Sequence, residues 1–157
     1  MHVLLATDAQ WVLDEVVAAL GSPSTSFQVV TNGRRVADVV AERTPDIAIL
    51  DLQVGTMGGM AITMDLRLDA SSGVLPHVPV LMLLDRDVDV HMARRSGANG
   101  WIIKPLDALR LRRAVDAVMN GGCYAEGIPV AADENPTDEN AADAQEAAEE
   151  SADSLVQ

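Results

Sequence analysis

Three charged side chains have the types and the placement that phosphoryl chemistry needs. Asp8 and Asp51 lie at the ends of two short apolar runs, and Lys104 ends a third. Two carboxylates brought together repel each other unless a cation lies between them, and Mg²⁺, a hard ion that prefers oxygen ligands, suits that place. With the Lys104 ammonium on a phosphoryl oxygen, Asp51 would act as a nucleophile toward a phosphodonor. The competing interpretation is that both aspartates cap strand ends and that Lys104 is a surface residue.

The residues that must hold Asp51 form the most informative stretch of the chain. Residues 47–50 are a continuous apolar run without polar alternation, which predicts a strand buried on both faces of a parallel sheet. Asp51 stands where this strand ends, and a glycine-rich loop, residues 55–59, follows it. Open α/β sheets place their ligand sites at such strand ends. Asp51 is therefore the first candidate for function.

The other candidate residues are placed by the same alternation of elements. Five apolar runs that predict strands alternate with five segments whose apolar spacing predicts helices. This pattern predicts an α/β fold, a doubly wound five-stranded parallel sheet with right-handed crossovers and helices on both faces. Asp8, Asp51, Leu84 and Lys104 all end predicted strands, so we expect them to meet at one edge of the sheet.

Composition and charge limit the classes of protein that fit. The chain has 157 residues, 48% of them apolar, and no window long and apolar enough for a membrane span, which predicts one cytoplasmic domain. Of the net charge of −13, residues 126–157 carry 10 acidic and no basic residues. Nucleic acid is disfavoured as a direct partner, because binding to phosphates requires a positive face. A single cysteine, Cys123, and three scattered histidines give no zinc-site spacing.

Four segments together resemble a known family. Residues 3–8, 45–52, 78–83 and 97–105 are similar, in order and spacing, to the receiver domain of bacterial two-component response regulators, and the resemblance covers about residues 2–120. It implies the flavodoxin-like, CheY-like (βα)5 fold and a signalling protein that is not an enzyme. It also implies a histidine kinase or a phosphotransfer protein as the source of the phosphoryl group.

The resemblance also assigns roles by position. Asp51 corresponds to the phosphoacceptor, and Lys104 corresponds to the lysine that contacts the phosphoryl group. Asp8, Asp51 and the main-chain carbonyl of Gln53 correspond to the Mg²⁺ ligands. The family also implies a cis peptide bond between Lys104 and the following proline, which costs little before proline.

The chain departs from the family at three positions. Thr7 replaces the first of two acidic residues after the first strand, which weakens the expected metal site. Leu84 replaces the hydroxyl residue that turns toward the phosphoryl group, and leucine cannot donate that hydrogen bond. Trp101 replaces a smaller switching aromatic residue, and we expect the indole to be hard to bury by rotation. These changes spare phosphorylation more than its coupling to an output, so an atypical, stand-alone receiver is expected.

The output is expected to pass through the surface of the domain. We predict a receiver domain over residues 1–122 and an acidic, low-complexity, disordered tail over residues 123–157. A downstream partner or a homodimer would use the face of the fourth and fifth helices, over which the acidic tail could fold. That face is predicted to carry five arginines: Arg94, Arg95, Arg110, Arg112 and Arg113.

Two other functional classes remain open. One is a pseudo-receiver that binds proteins without being phosphorylated. The other is a flavodoxin-like cofactor carrier, which is disfavoured because the loop after the first strand, residues 7–11, has no glycine to cradle a phosphate.

Overall fold

A central parallel sheet holds every candidate residue. The structure is a computed structural model, and it describes residues 1–127. The sheet has six parallel strands in the order β2-β1-β3-β4-β5-β6. The strands are β1 (His2–Ala6), β2 (Ser26–Val30), β3 (Ile47–Asp51), β4 (Val80–Leu84), β5 (Gly100–Ile103) and β6 (Tyr124–Ala125).

Within residues 1–127, five α-helices connect the strands and cover the sheet. They are α1 (Gln10–Leu20), α2 (Val36–Glu42), α3 (Gly59–Ser71), α4 (Val90–Arg95) and α5 (Ala108–Met119). Short 3₁₀ turns, Gly33–Arg35 and Asp87–Asp89, precede α2 and α4. The α/β class, the parallel sheet and the five helices are confirmed, and no helix within residues 1–127 is long and apolar enough to cross a membrane.

The central strand is buried on both faces, as its apolar run predicts. Ile47 and Ile49 pack into the core under α1 and α5, whereas Ala48 and Leu50 pack on the opposite side, with residues of α2 and α3. This double burial is typical of parallel strands covered by helices on both faces. Asp51, the last residue of β3, is therefore brought to the carboxyl edge of the sheet by a fully buried element.

The sixth strand was not predicted. Tyr124–Ala125 pairs with Gly100 and Trp101 at the outer edge of β5, within the segment assigned from the sequence to the acidic tail. The expectation of five strands is therefore one strand short. Gly100 allows the close approach, because a Cβ at this position would lie 2.8 Å from the carbonyl oxygen of Tyr124. The remainder of the predicted tail, residues 128–157, lies outside the described residues.

The start of α4 also differs from the sequence pattern. The pattern predicts Val88 and Met92 on the inner face of this helix, but Val88 is 63% exposed, and Val90 and Ala93 face the core instead. The 3₁₀ turn at Asp87–Asp89 shifts the register, because a 3₁₀ turn has three residues rather than 3.6.

Candidate functional site

Both carboxylate oxygens of Asp51 accept hydrogen bonds from neighbouring residues. Its Oδ1 accepts from Lys104 Nζ at 2.7 Å and from the Gln53 backbone N–H at 3.2 Å. Its Oδ2 accepts from the Thr7 hydroxyl at 3.0 Å. Asp51 is only 1% exposed, so a phosphodonor can reach the carboxylate only if one of these contacts opens.

Lys104 contacts Asp51 from the end of β5, with β4 lying between β5 and β3. It directly follows β5, and its backbone N–H donates to the Leu84 carbonyl, which fixes it beside the end of β4. The Lys104–Pro105 peptide bond is cis, as the resemblance implies. The ammonium also lies 5.4 Å from the centre of the Trp11 ring on α1, within the range of a cation–π contact. The predicted meeting of Asp51 with Lys104 is thus present in the structure.

Asp85 is a site residue that the sequence analysis missed. Its Oδ1 accepts from Lys104 Nζ at 3.0 Å, so one ammonium is shared between Asp51 and Asp85. The signal was available in the sequence, because Asp85 follows β4 directly, just as Asp8 lies just past β1. The sequence pattern instead predicts that residues 85–87 begin the following helix.

Asp8 lies at the same edge but serves a different contact. Its Oδ2 accepts from the Gly55 backbone N–H at 3.1 Å, and this bond ties the end of β1 to the loop after β3. The residue that contacts Asp51 is Thr7, whose hydroxyl also accepts from the Ala9 backbone N–H at 3.1 Å. Threonine thus occupies a place next to Asp51 where the resemblance implies a second acidic residue.

The oxygen donors at this edge fit Mg²⁺, but with Thr7 in place of an acidic residue they carry one negative charge fewer than the resemblance implies. Mg²⁺ is commonly bound by one or two carboxylates, with water completing its shell. Asp8, Asp51 and the carbonyl of Gln53 provide oxygen donors of this kind, although Asp8 and Asp51 would have to exchange their present hydrogen bonds. Within residues 1–127 no group of three or more His, Cys, Asp or Glu side chains is arranged to hold a metal. We therefore expect weaker metal binding than a site with one more carboxylate would give.

The two switch positions lie together under α4. Leu84 is fully buried in a cluster with Leu52, Met82, Val90 and Trp101. Trp101 is only 6% exposed, and its indole N–H donates to the main-chain carbonyl of Glu126 at 2.8 Å. The indole is thus already buried here, with its polar group satisfied by the backbone of Glu126, and the expectation about its rotation stays a prediction.

Glu126 is a second residue that the sequence analysis did not assign to the fold. Its carboxylate accepts from the Ile103 backbone N–H at 3.1 Å, from Arg110 Nε at 2.8 Å and from the Tyr124 hydroxyl at 3.1 Å. A second guanidinium nitrogen of Arg110 also contacts this carboxylate. Burial raises the pKa of Glu126, but the hydrogen bonds from Arg110, Ile103 and Tyr124 outweigh it and leave the pKa below its usual value. The hydrogen bond to Glu126 raises the pKa of Arg110 in turn.

The predicted arginine face is only partly formed. Arg110 faces Glu126, and its guanidinium also donates to the carbonyls of Ile103 and Pro105. Arg112 instead donates to the Ala19 carbonyl on α1 at 2.6 Å. Arg112 is therefore part of the contact between α1 and α5, and it does not belong to a shared face with α4.

Comparison with known proteins agrees with this geometry. The response regulator receiver domain family matches residues 3–116. The chain is 24% identical over 120 residues to Protein PilH of Pseudomonas aeruginosa, covering 76% of this chain and 98% of PilH. It is 28% identical to the heme response regulator HssR of Staphylococcus epidermidis, of which it spans about half the length, 51%, with 76% of this chain covered.

A solved structure shares the fold. The receiver domain of the sensor histidine kinase PA1611 of Pseudomonas aeruginosa, solved with a magnesium ion coordinated in the active-site cleft, superposes with a TM-score of 0.63 at 19% identity. The match covers 76% of this chain and 97% of that one. At this identity the likeness supports the fold alone.

Proposed function

The chain belongs to the response regulator receiver domain family of two-component signalling, and from that membership we propose that it accepts a phosphoryl group on Asp51. The donor would be a histidine kinase or a phosphotransfer protein. The observation that carries this proposal is the direct 2.7 Å contact between the Lys104 ammonium and the Asp51 carboxylate at the carboxyl edge of the sheet. The chain matches PilH over 98% of that protein's length, and we propose that this chain acts through protein contacts.

The residues at this edge would have different roles in the transfer of the phosphoryl group. An oxygen of Asp51 attacks the phosphorus, the bond from phosphorus to the donor nitrogen breaks, and the imidazole leaves with that electron pair. Lys104 stabilises the negative charge on the transferring oxygens. Asp8, Asp51 and the Gln53 carbonyl would hold Mg²⁺, which neutralises phosphoryl charge when bound.

The side chains around Asp51 restrict the access of a phosphodonor to its carboxylate. The carboxylate is covered by Thr7 and Lys104, so one of these side chains must move before a phosphodonor can approach. Asp85 shares the Lys104 ammonium, so its negative charge also faces a phosphoryl group that arrives at Asp51. If Lys104 moves, the buried Asp51 carboxylate loses its cation, so this opening costs free energy.

The output is proposed to pass through the face near α4, β5 and α5. Leu84 cannot donate a hydrogen bond to a phosphoryl group, so the usual contact that distinguishes the two states is missing. A ligand or a modification shifts a conformational equilibrium only through contacts that differ between the states. Lys104, which is shared by Asp51 and Asp85, and Thr7 are groups whose contacts with Asp51 would change. A downstream protein or a second copy of the chain would then sense that change.

A pseudo-receiver is the second candidate. It is favoured by the burial of Asp51 and by the fully buried Leu84, both of which oppose a phosphorylation switch. In that case the same surface would bind partners regardless of phosphorylation.

Phosphoacceptance can be tested on the full chain with acetyl phosphate and Mg²⁺. We expect the intact mass to rise by one phosphoryl group and expect the gain to disappear in Asp51→Asn. Asp65→Asn is the matched control, because Asp65 is exposed on α3 and should leave the modification unchanged. If the wild-type mass stays constant, the pseudo-receiver is the better description; if Asp51→Asn is still modified, Asp51 is not the acceptor and the proposal fails.

A further inference from the structure

The outer edge of β5, with Trp101 and Arg110 beside it, is covered by a short segment of the same chain, and we call the place that this segment occupies the groove. We call residues 124–127 the C-terminal clip. The clip pairs with β5 as a parallel strand, offers a main-chain carbonyl to Trp101, and places the Glu126 carboxylate between Ile103 and Arg110. All of these contacts are ones that a separate extended peptide can make, since adding a strand to a sheet edge is a common mode of peptide recognition.

The two side chains beside this groove, Arg110 and Trp101, also have contacts outside the clip. The Arg110 guanidinium donates to the Pro105 carbonyl at 3.1 Å and to the Ile103 carbonyl at 3.0 Å. The indole of Trp101 is fixed by its burial under α4. These additional contacts restrict both side chains, so a ligand has less to order, which favours binding.

The groove selects a carboxylate. The Ile103 N–H and the Arg110 guanidinium converge on both oxygens of Glu126, and together they lower the pKa of that side chain. A guanidinium matches a carboxylate with paired hydrogen bonds, whereas a neutral side chain at this point would leave donors unpaired. Arg113 on α5 adds positive charge to the same helix.

The clip itself is bound in a way that allows displacement. Its strand has two residues, and Ala125 and Gly127 are exposed. It follows an exposed link, residues 120–123, in which Gly121 has a φ of +77°. An element with so few buried apolar contacts belongs to the part of a fold that opens most easily.

We propose that the groove along β5 is a docking site for an extended, acidic segment of a protein partner, and that the C-terminal clip occupies it in cis until such a segment displaces it. The partner would present a carboxylate side chain to Arg110 and Ile103 and its backbone to Gly100 and Trp101. This deepens the proposed output through protein contacts, but the binding can be measured without any phosphodonor. Its failure is therefore distinct from a failure of Asp51 phosphorylation.

The test uses the full chain and a labelled peptide with the sequence of residues 121–128, in which serine replaces Cys123. Glu126→Ala removes the anchor of the clip and should bind this peptide at least about tenfold more tightly than the wild type, by fluorescence anisotropy. Tyr124→Phe removes only one hydrogen bond to Glu126 and should give an intermediate affinity with the fold kept. Glu15→Ala is the matched control, because Glu15 is exposed on α1, and it should bind like the wild type.

Three results would overturn the proposal. One is an equal affinity of the peptide for all four proteins, including Tyr124→Phe. Another is an unchanged gain when glutamine replaces the glutamate of the peptide, because the groove would then not select a carboxylate. The third is self-association of Glu126→Ala that excludes the peptide, which would make a second copy of the chain the occupant.

Discussion

Asp85 offers the most informative single perturbation, because it competes with the phosphoryl site for Lys104. Two carboxylates share one ammonium, with contacts of 2.7 Å from Asp51 and 3.0 Å from Asp85. A phosphoryl group on Asp51 would bind the same ammonium, and its negative charge would be repelled by the carboxylate of Asp85. Asp85→Asn removes one charge without changing the size of the side chain, so it should favour phosphorylation of Asp51.

The size of the effect follows from the separation and the exposure of Asp85. Two unit charges roughly 6 Å apart interact by about 3 kcal/mol at an effective dielectric constant of about 20. The Asp85 side chain is 36% exposed, so solvent screening should reduce this to about 1 kcal/mol. That energy corresponds to a rate of modification about fivefold higher than that of the wild type.

The assay is the initial rate of mass gain with acetyl phosphate and Mg²⁺ at low and at high salt. We expect Asp85→Asn to be about fivefold faster at low salt, with a smaller gain at high salt because the repulsion is screened. Asp87→Asn, an exposed aspartate in the same loop, should behave like the wild type. An unchanged or slower rate in Asp85→Asn would contradict the reasoning and would indicate that Asp85 helps by drawing Lys104 away from Asp51.

Three further predictions concern the same side chains. Lys104→Met should lower the free energy of unfolding by about 3 kcal/mol, measured by urea denaturation, because it leaves Asp51 buried without a cation, and an unchanged midpoint would count against this pairing. Thr7→Asp should raise Mg²⁺ affinity at least about tenfold in calorimetry and make the thermal midpoint depend on Mg²⁺, whereas equal affinities would show that this position does not reach the metal. Because the folded pKa of Glu126 is lowered, its stabilisation is present above the unfolded pKa of about 4.3 and is lost as the pH falls through the folded value. Glu126→Gln should remove that part of the pH dependence of unfolding, and an identical pH profile would refute the assignment.

The sequence alone predicted those features of the fold and the site that follow from a local pattern of residues. The apolar run at residues 47–50 predicted a strand buried on both faces, and the rule that parallel strands end at one edge predicted the contact between Asp51 and Lys104. Both inferences depend on the backbone direction alone, which the alternation of strands and helices determines. They did not require knowledge of any side-chain conformation.

The remaining features depend on packing that no local pattern encodes. The two-residue strand Tyr124–Ala125 is too short to show an alternation. It pairs with β5 because Gly100 leaves room for its backbone and because the contacts of Glu126 hold it there. The inward positions of α4 were misjudged because a 3₁₀ turn shifts the register of the helix. Asp85 was overlooked because the same residue type is common at helix starts.

The central claim, that Asp51 carries the phosphoryl group, is tested most directly by locating the modified residue. Borohydride reduces an aspartyl phosphate to homoserine, so a chain treated first with acetyl phosphate and Mg²⁺ and then with borohydride retains a permanent mark at the modified position. Peptide mapping by mass spectrometry should place homoserine at position 51, and at none of the other aspartates. Homoserine at Asp8 or Asp85, or an unmarked chain after complete treatment, would contradict the account.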